Sequence, residues 1–280
     1  MGKILVKYKN MGVQAKAAIW FTFCSILQKG ISMITVPIFT RLLTTDEYGI
    51  YSIYLSWLNI LTVFTSLNLY YGVFNNAMLK YEDDRDRYTS SMQGLVIILT
   101  SGVFVVYLLG HSLFNNLLGL STVFVILMFV EMLVSPALQF WSARQRFDYK
   151  YKSLIAVTLA KSSLNPVIGV IAVLLSRDRA LARVVSVVFI EVLFCGSIMI
   201  YQFIKGKSFY VKEYWKYALG FNLPLIPHYL SGSILNQGDR VMIDNIVGKS
   251  AVGIYSVAYN VGMLMQIFTN AINSAFTPWM

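Results

Sequence analysis

Lys29, Lys161 and Arg240, with Glu131, Glu191, Asp239 and Asp244, all lie inside runs of mainly apolar residues. A buried cation can hold an anionic group such as a phosphate. A buried carboxylate can couple to an ion gradient by protonation. Each Lys, Arg or Asp at the centre of a bilayer costs about 2.5–3.5 kcal/mol, so seven such residues facing lipid would cost on the order of 20 kcal/mol. They must face protein or water. Two arrangements remain open, a polar cavity and buried ion pairs.

Spacing sharpens the choice. At about 100° per residue, Thr22, Ser25, Lys29 and Ser32 fall on one stripe of a helix. Tyr229, Ser233, Asn236, Gln237, Arg240 and Asp244 share a face of another, and Ser52, Asn59, Thr62 and Ser66 share a face of a third. Tyr255, Tyr259, Gln266, Asn270, Asn273 and Thr277 share a face of a fourth. These stripes suggest four walls of a central cavity, with interhelical hydrogen bonding as the alternative. Glu131 and Lys161 sit on neighbouring candidate helices, and an ion pair between them is the structural alternative to a role in the cavity. Arg240 and Asp244 are i, i+4 neighbours and also suit a pair, whereas Asp239 points about 100° away. His228 falls off the polar stripe, and His111 falls in a loop.

The elements that must position these residues are membrane spans. Of the 280 residues, 57% are hydrophobic and 13% charged, about half the charge of a soluble domain. Mean hydropathy is +0.62. A span needs about 20 mainly apolar residues, and eight runs qualify: 17–40, 49–73, 91–110, 117–141, 154–175, 184–204, 220–247 and 250–277. The first is too long for a cleaved signal. The net charge of +10 does not indicate nucleic acid, because the basic residues are spread between apolar runs. With the N-terminus in the cytoplasm, fifteen Lys and Arg fall inside and five outside, as the positive-inside rule requires. The outside set includes Arg183 in a loop at 176–183. Cys24 and Cys195 lie within apolar runs and read as packing residues. Pro224 and Pro227 are the best hinge candidates among the prolines near spans.

Gly49-Ile50-Tyr51-Ser52 recurs as Gly253-Ile254-Tyr255-Ser256, an offset of 204. The same offset maps the first run onto the seventh and the second onto the eighth, and it aligns Lys29 with Ser233 and Ser66 with Asn270. Six spans separate the copies, so both run the same way through the membrane, as in parallel transporter repeats. The division expected is a cytoplasmic N-terminus at 1–16, a six-helix lobe at 17–204, a linker at 205–219 and two helices of a second lobe at 220–280. The second lobe is expected to be truncated.

No phosphate-binding glycine loop, metal-ligand motif or nucleophile elbow appears, so neither an enzyme nor a cofactor is expected. The stretch Arg41-Leu42-Leu43-Thr44-Thr45-Asp46-Glu47-Tyr48-Gly49-Ile50-Tyr51-Ser52 resembles Wzx-type polysaccharide flippases, in the superfamily that includes MATE exporters. So do Leu223-Pro224-Leu225-Ile226-Pro227-His228, Gly238-Asp239-Arg240 and Thr277-Pro278-Trp279. The resemblance implies an all-α polytopic protein of the bacterial inner membrane, with two lobes forming a V around a cavity. It implies transport of undecaprenyl-pyrophosphate-linked oligosaccharide by alternating access, for O-antigen, capsule or exopolysaccharide. On that reading Lys29, Lys161 and Arg240 attract the pyrophosphate, and Tyr229, Asn236, Gln266 and Asn270 contact sugar. Glu131, Asp239 and Asp244 are then candidates for ion coupling. The partners would be the lipid-linked oligosaccharide and membrane lipids, with a polysaccharide polymerase and a chain-length regulator as candidates. A MATE-like antiporter and a non-catalytic membrane partner are the alternatives. A polymerase would need a large extracytoplasmic loop.

Overall fold

The computed structural model describes residues 11–276, except for the side chains of residues 15, 18 and 264–276. Every regular element among them is helical. Helix α1 spans Val13–Leu42 and α2 spans Thr45–Ser66. The break between them is set locally. Thr44 Oγ1 accepts from the Glu47 backbone N–H at 3.3 Å, and Glu47 Oε2 accepts from the Thr44 backbone N–H at 2.8 Å. This reciprocal cap satisfies donors that a helix start leaves open. Helix α2 ends where Leu67 and Asn68 turn left-handed, with φ of 48° and 50°. It is therefore shorter than the apolar run at 49–73, because Leu69 is buried in a turn and not in a helix.

Next come α3 (Gly72–Lys80), α4 (Arg85–Leu109), α5 (His111–Leu118), α6 (Thr122–Phe147) and α7 (Tyr151–Leu175). His111 thus begins a short helix instead of lying in a loop. Helix α8 (Arg179–Glu191) continues through a π turn at Val192–Gly196 into α9 (Ser197–Gly206). The expected linker at 205–219 contains the start of α10 (Lys212–Asn222). A 3-10 turn at Leu223–Leu225 leads into α11 (Ile226–Ile246), and α12 is Lys249–Phe276.

The eight apolar runs correspond to α1, α2, α4, α6, α7, α8–α9, α11 and α12. Among the described residues, five of these are long and apolar enough to cross a membrane: α1, α4, α6, α7 and α8–α9. Of the other three, α2 and α11 carry polar stripes that lower the hydropathy of the whole helix, and the side chains of α12 are described only to residue 263. The chain is a multi-pass, all-α membrane protein.

Helices α2, α4, α6 and α8 share one core, built around Ile53, Tyr54, Val125, Met128, Met132 and Val184. A second core near the α3 end holds Phe74, Met78, Tyr88, Met92, Phe140 and Tyr214. Hydrogen bonds strap helix α10 there. Tyr214 OH donates to Asp84 Oδ2 at 3.0 Å, Tyr81 OH donates to Glu213 Oε1 at 3.2 Å, and Trp215 Nε1 donates to the Ser91 carbonyl at 3.0 Å. The outer surface is apolar, with Ile34, Leu108, Leu109, Ile171, Leu174 and Leu175 exposed. In water this would be an aggregation surface. Against lipid it costs nothing.

Candidate functional site

The glycines of the repeated Gly-Ile-Tyr-Ser sequence touch each other's helices. A Cβ on Gly49 would lie 1.9 Å from the Lys249 carbonyl oxygen, and one on Gly253 would lie 2.1 Å from that of Thr45. Residues 45 and 249 are themselves related by the offset of 204, so the contact is reciprocal. Only glycine allows two backbones this close. Ser250 Oγ donates to Thr45 Oγ1 at 2.7 Å across the same crossing, and Asn260 Nδ2 donates to Tyr48 OH at 3.2 Å. From this crossing a cleft runs between α1, α2, α11 and α12.

The cleft has two communicating parts. The narrower, of about 440 Å³, is lined by Lys29, Ser32, Ser52, Asn59, Gln237 and Arg240, among others. The wider, of about 860 Å³, extends past Tyr229, Ser233 and Asn236 to Asn68, Tyr71 and His228. Asn59, Gln237 and Tyr259 line both. The first three polar stripes therefore meet in one space, joined by Tyr259 of the fourth. Gln266 and Asn270 lie outside the residues whose side chains are described. Thr62 and Ser66 are spent within α2, donating to the Leu58 and Thr62 carbonyls. Tyr255 turns to Asp239, to which its hydroxyl donates.

Two cations border the cleft. Lys29 is exposed, and among the described residues it has no carboxylate within the 4.0 Å of an ion pair. Arg240 is 7% exposed. Its Nη1 donates to the Asn236 carbonyl at 2.8 Å and to Gln237 Oε1 at 3.3 Å. Its guanidinium lies 4.2 Å from the centre of the Tyr259 ring, a cation–π contact that holds the charge at the wall. Gln237 Oε1 also accepts from Ser56 Oγ at 3.2 Å, tying α11 to α2.

The carboxylates are placed elsewhere, and the two candidate pairs do not form. Lys161 pairs with Glu191 at 2.6 Å and not with Glu131, and it lies outside the cleft. Glu131 accepts from Tyr54 OH at 2.7 Å in the core. The π turn at Val192–Gly196 adds a residue per turn just after Glu191, and Cys195 Sγ donates to Glu191 Oε2 at 2.9 Å. Arg240 meets Asp239 at 3.6 Å, whereas Asp244 takes Lys249 at 3.7 Å. Among the described residues lining the two parts of the cleft, no carboxylate appears.

The profile of the polysaccharide biosynthesis protein family matches residues 15–280. The chain belongs to that family. The resemblance to polysaccharide flippases is thereby borne out at the level of the family. The chain is 22% identical over 273 residues to Lsg locus putative protein 1 of Haemophilus influenzae, covering 94% of this chain and 65% of that protein. It is 23% identical over 264 residues to an uncharacterized membrane protein of the same organism, covering 90% of this chain and 61% of that one. The chain thus spans less than two thirds of the length of these curated relatives. No solved structure matches it.

Sequence reasoning also misplaced Arg183 and His228. Arg183 is 4% exposed inside α8 and not in an outer loop. It stacks 4.0 Å from the Phe39 ring centre, and its Nη1 donates to Asn165 Oδ1 at 3.0 Å. The signal was Asp178, whose Oδ1 accepts from the Leu181 N–H at 3.0 Å and starts the helix at Arg179. His228 lines the wider part of the cleft. A broader arc of α11 than one stripe therefore faces that space.

Proposed function

We propose that this polysaccharide biosynthesis protein carries an undecaprenyl-pyrophosphate-linked oligosaccharide across the bacterial cytoplasmic membrane by alternating access. The observation that carries the reading is the segregation of charge. Lys29 and Arg240 border the cleft, and the carboxylates of Glu131, Glu191 and Asp244 are held outside its lining. An ion bordered by cations in a partly dehydrated cleft is strongly attracted if it is anionic, as a pyrophosphate is. A carrier of cationic drugs would need the opposite arrangement. Tyr229, Asn236, Asn59 and Gln237 offer donors and acceptors for sugar hydroxyls, and Gln266 and Asn270 are assigned the same role. Lys161 drops out of the substrate set. Asp239, Asp244 and Glu131 remain candidates for ion coupling.

The orientation follows from charge. Removing Arg183 from the five outside residues leaves four, which strengthens the bias toward a cytoplasmic N-terminus. In that orientation the Gly49–Gly253 crossing lies at the outer end, and the wide part of the cleft opens to the cytoplasm. Eight spans, with residues 17–204 as a first lobe, fit this arrangement.

The test is complementation in cells lacking the flippase. Lys29→Ala and Arg240→Ala should abolish surface polysaccharide while membrane levels of the protein stay unchanged. Normal surface polysaccharide in both variants would remove the cleft from the transport path.

A further inference from the structure

A second, smaller pocket lies between the start of α4 and the ends of α6 and α9. It encloses about 80 Å³ and shares no lining residue with the cleft. Arg144 and Asp148 are already paired there at 3.0 Å, and Lys150 joins Asp148 at 3.3 Å. Three lining groups are less committed. Lys205 rests 5.3 Å from the centre of the Tyr201 ring, and among the described residues it has no carboxylate at ion-pair distance. Among the described residues, the ion-pair partner of Asp86 is Arg144, at 3.7 Å. Gln202 is 5% exposed, its Nε2 donates to the Ala137 carbonyl at 3.0 Å, and its buried Oε1 finds no donor among the described residues.

A buried acceptor without a donor is destabilising, so something that brings an N–H or O–H is favoured. A cation, a carboxylate and an amide oxygen around one small space are complementary to a group with a phosphate at one end and a primary ammonium at the other. The pocket is also bordered by Trp141, a residue type favoured at the membrane interface. Beside it, Phe189, Leu193, Ile200 and Ile204 are exposed along one side of α8–α9. Ile200 and Ile204 each adjoin a lining residue, Tyr201 and Lys205. A ligand seated in the pocket therefore has an apolar track leading away from it along the membrane-facing surface.

We propose that this pocket binds the headgroup of phosphatidylethanolamine as a structural lipid. The phosphate meets Lys205 and the outer edge of Arg144. The ammonium meets Asp86 and Gln202 Oε1. One acyl chain follows the track from Ile204 toward Phe189. The assignment does not depend on what the cleft transports.

The experiment is lipid titration of the purified 280-residue chain in detergent, read by native mass spectrometry. Four probes of matched chains or headgroup are compared: phosphatidylethanolamine, phosphatidylcholine, phosphatidylglycerol and water-soluble phosphoethanolamine. Phosphatidylcholine keeps the phosphate but has no ammonium N–H, and losing charge-assisted hydrogen bonds weakens binding by about tenfold or more. Phosphatidylethanolamine should therefore bind tightest. Lys205→Gln and Asp86→Asn should each weaken it by about tenfold without changing the melting temperature of the lipid-free protein. Gln202→Leu should narrow the gap between phosphatidylethanolamine and phosphatidylcholine, and Lys29→Ala should leave binding unchanged. Equal binding of the three lipids, or a preference that survives both Lys205→Gln and Asp86→Asn, would overturn the proposal. Tighter phosphatidylglycerol binding would overturn the ammonium assignment. Competition by phosphoethanolamine at lipid-like concentrations would overturn the role of the acyl track.

Discussion

Adding one methyl group at Gly253 should open the outer end of the cleft. In Gly253→Ala the new Cβ would sit 2.1 Å from the Thr45 carbonyl oxygen and 3.1 Å from its carbon, against an ordinary contact of 3.4–4 Å. The obstacle is backbone, so no rotamer change relieves it, and α2 and α12 must separate by about 1 Å. Overpacking of this kind costs about 1–3 kcal/mol, while alanine in place of helical glycine returns about 0.5–1 kcal/mol in any conformation. The propensity gain is common to open and closed states and cancels. The clash belongs to the closed state alone. The balance should therefore move toward an outside-open form by about fivefold to a hundredfold. Accessibility reads this directly. With Cys24 and Cys195 replaced by alanine and Asn260→Cys as the probe, an impermeant maleimide added to intact cells should label Gly253→Ala faster than its Gly253 parent. Gly49→Ala should behave alike, since its Cβ meets the Lys249 carbonyl at 1.9 Å. Parental labelling rates in both variants, with normal protein levels, would show that this crossing does not close the cleft.

Other perturbations separate architecture from transport. Lys161→Ala leaves Glu191 buried without its cation and should destabilise the protein by about 3 kcal/mol, toward the low end for a broken buried pair because Lys161 keeps some exposure; thermal unfolding in detergent measures this, and Lys161→Met with Glu191→Leu should recover most of the loss. Asn222→Ala removes the donor to the Leu67 carbonyl, a buried contact of 2.6 Å, and should cost about 1–3 kcal/mol while loosening the turn at Leu223–Leu225. Burial raises the Asp148 carboxyl, but Arg144 and Lys150 outweigh it and hold Asp148 below the usual carboxylate range. Its contribution to stability is thus present above about pH 4 and is lost as pH falls through the lowered value. Asp148→Asn should flatten the decline in melting temperature on acidification.

Much of the architecture was legible because lipid imposes a simple rule on length and hydropathy. The runs at 91–110, 154–175 and 184–204 map onto α4, α7 and α8–α9 within six residues per end. Hydropathy failed where an apolar stretch is not helical. Leu67, Leu69 and Tyr70 look like more of α2, yet Asn68 takes left-handed backbone and the chain turns. It also failed at Arg183, because a single arginine beside a loop reads as topogenic charge unless the Asp178 cap is noticed. Helical spacing located the polar faces of α1, α2 and α11. It could not choose partners. Whether Lys161 meets Glu131 or Glu191 depends on how α6, α7 and α8 rotate against one another, and a π turn in the last of these shifts the side chains beyond Glu191.

That choice of partners changes what the charges mean together. From the sequence, three cations against four carboxylates make a nearly neutral interior, which suits neither an anion nor a cation. The structure divides them. Lys161 is consumed by Glu191, and Glu131 is satisfied by a phenol, so the core of the first helices holds its charge in closed contacts. Asp244 is drawn to Lys249 beside Gly119, and Asp239 to Tyr255 and, behind the lining, to Arg240 at 3.6 Å. What is left facing the space between α1 and α11 is Lys29 and Arg240. Lys29 has no carboxylate at ion-pair distance among the described residues, and the Asp239 that partly offsets Arg240 lies outside the lining, so an anion entering the cleft meets the cations first. Selectivity for an anionic group would therefore come from where the carboxylates are tied down, and substitutions that free one of them, such as Tyr255→Phe beside Asp239, should weaken transport without touching a cleft cation. Normal surface polysaccharide in Tyr255→Phe would show that releasing Asp239 leaves the field in the cleft intact.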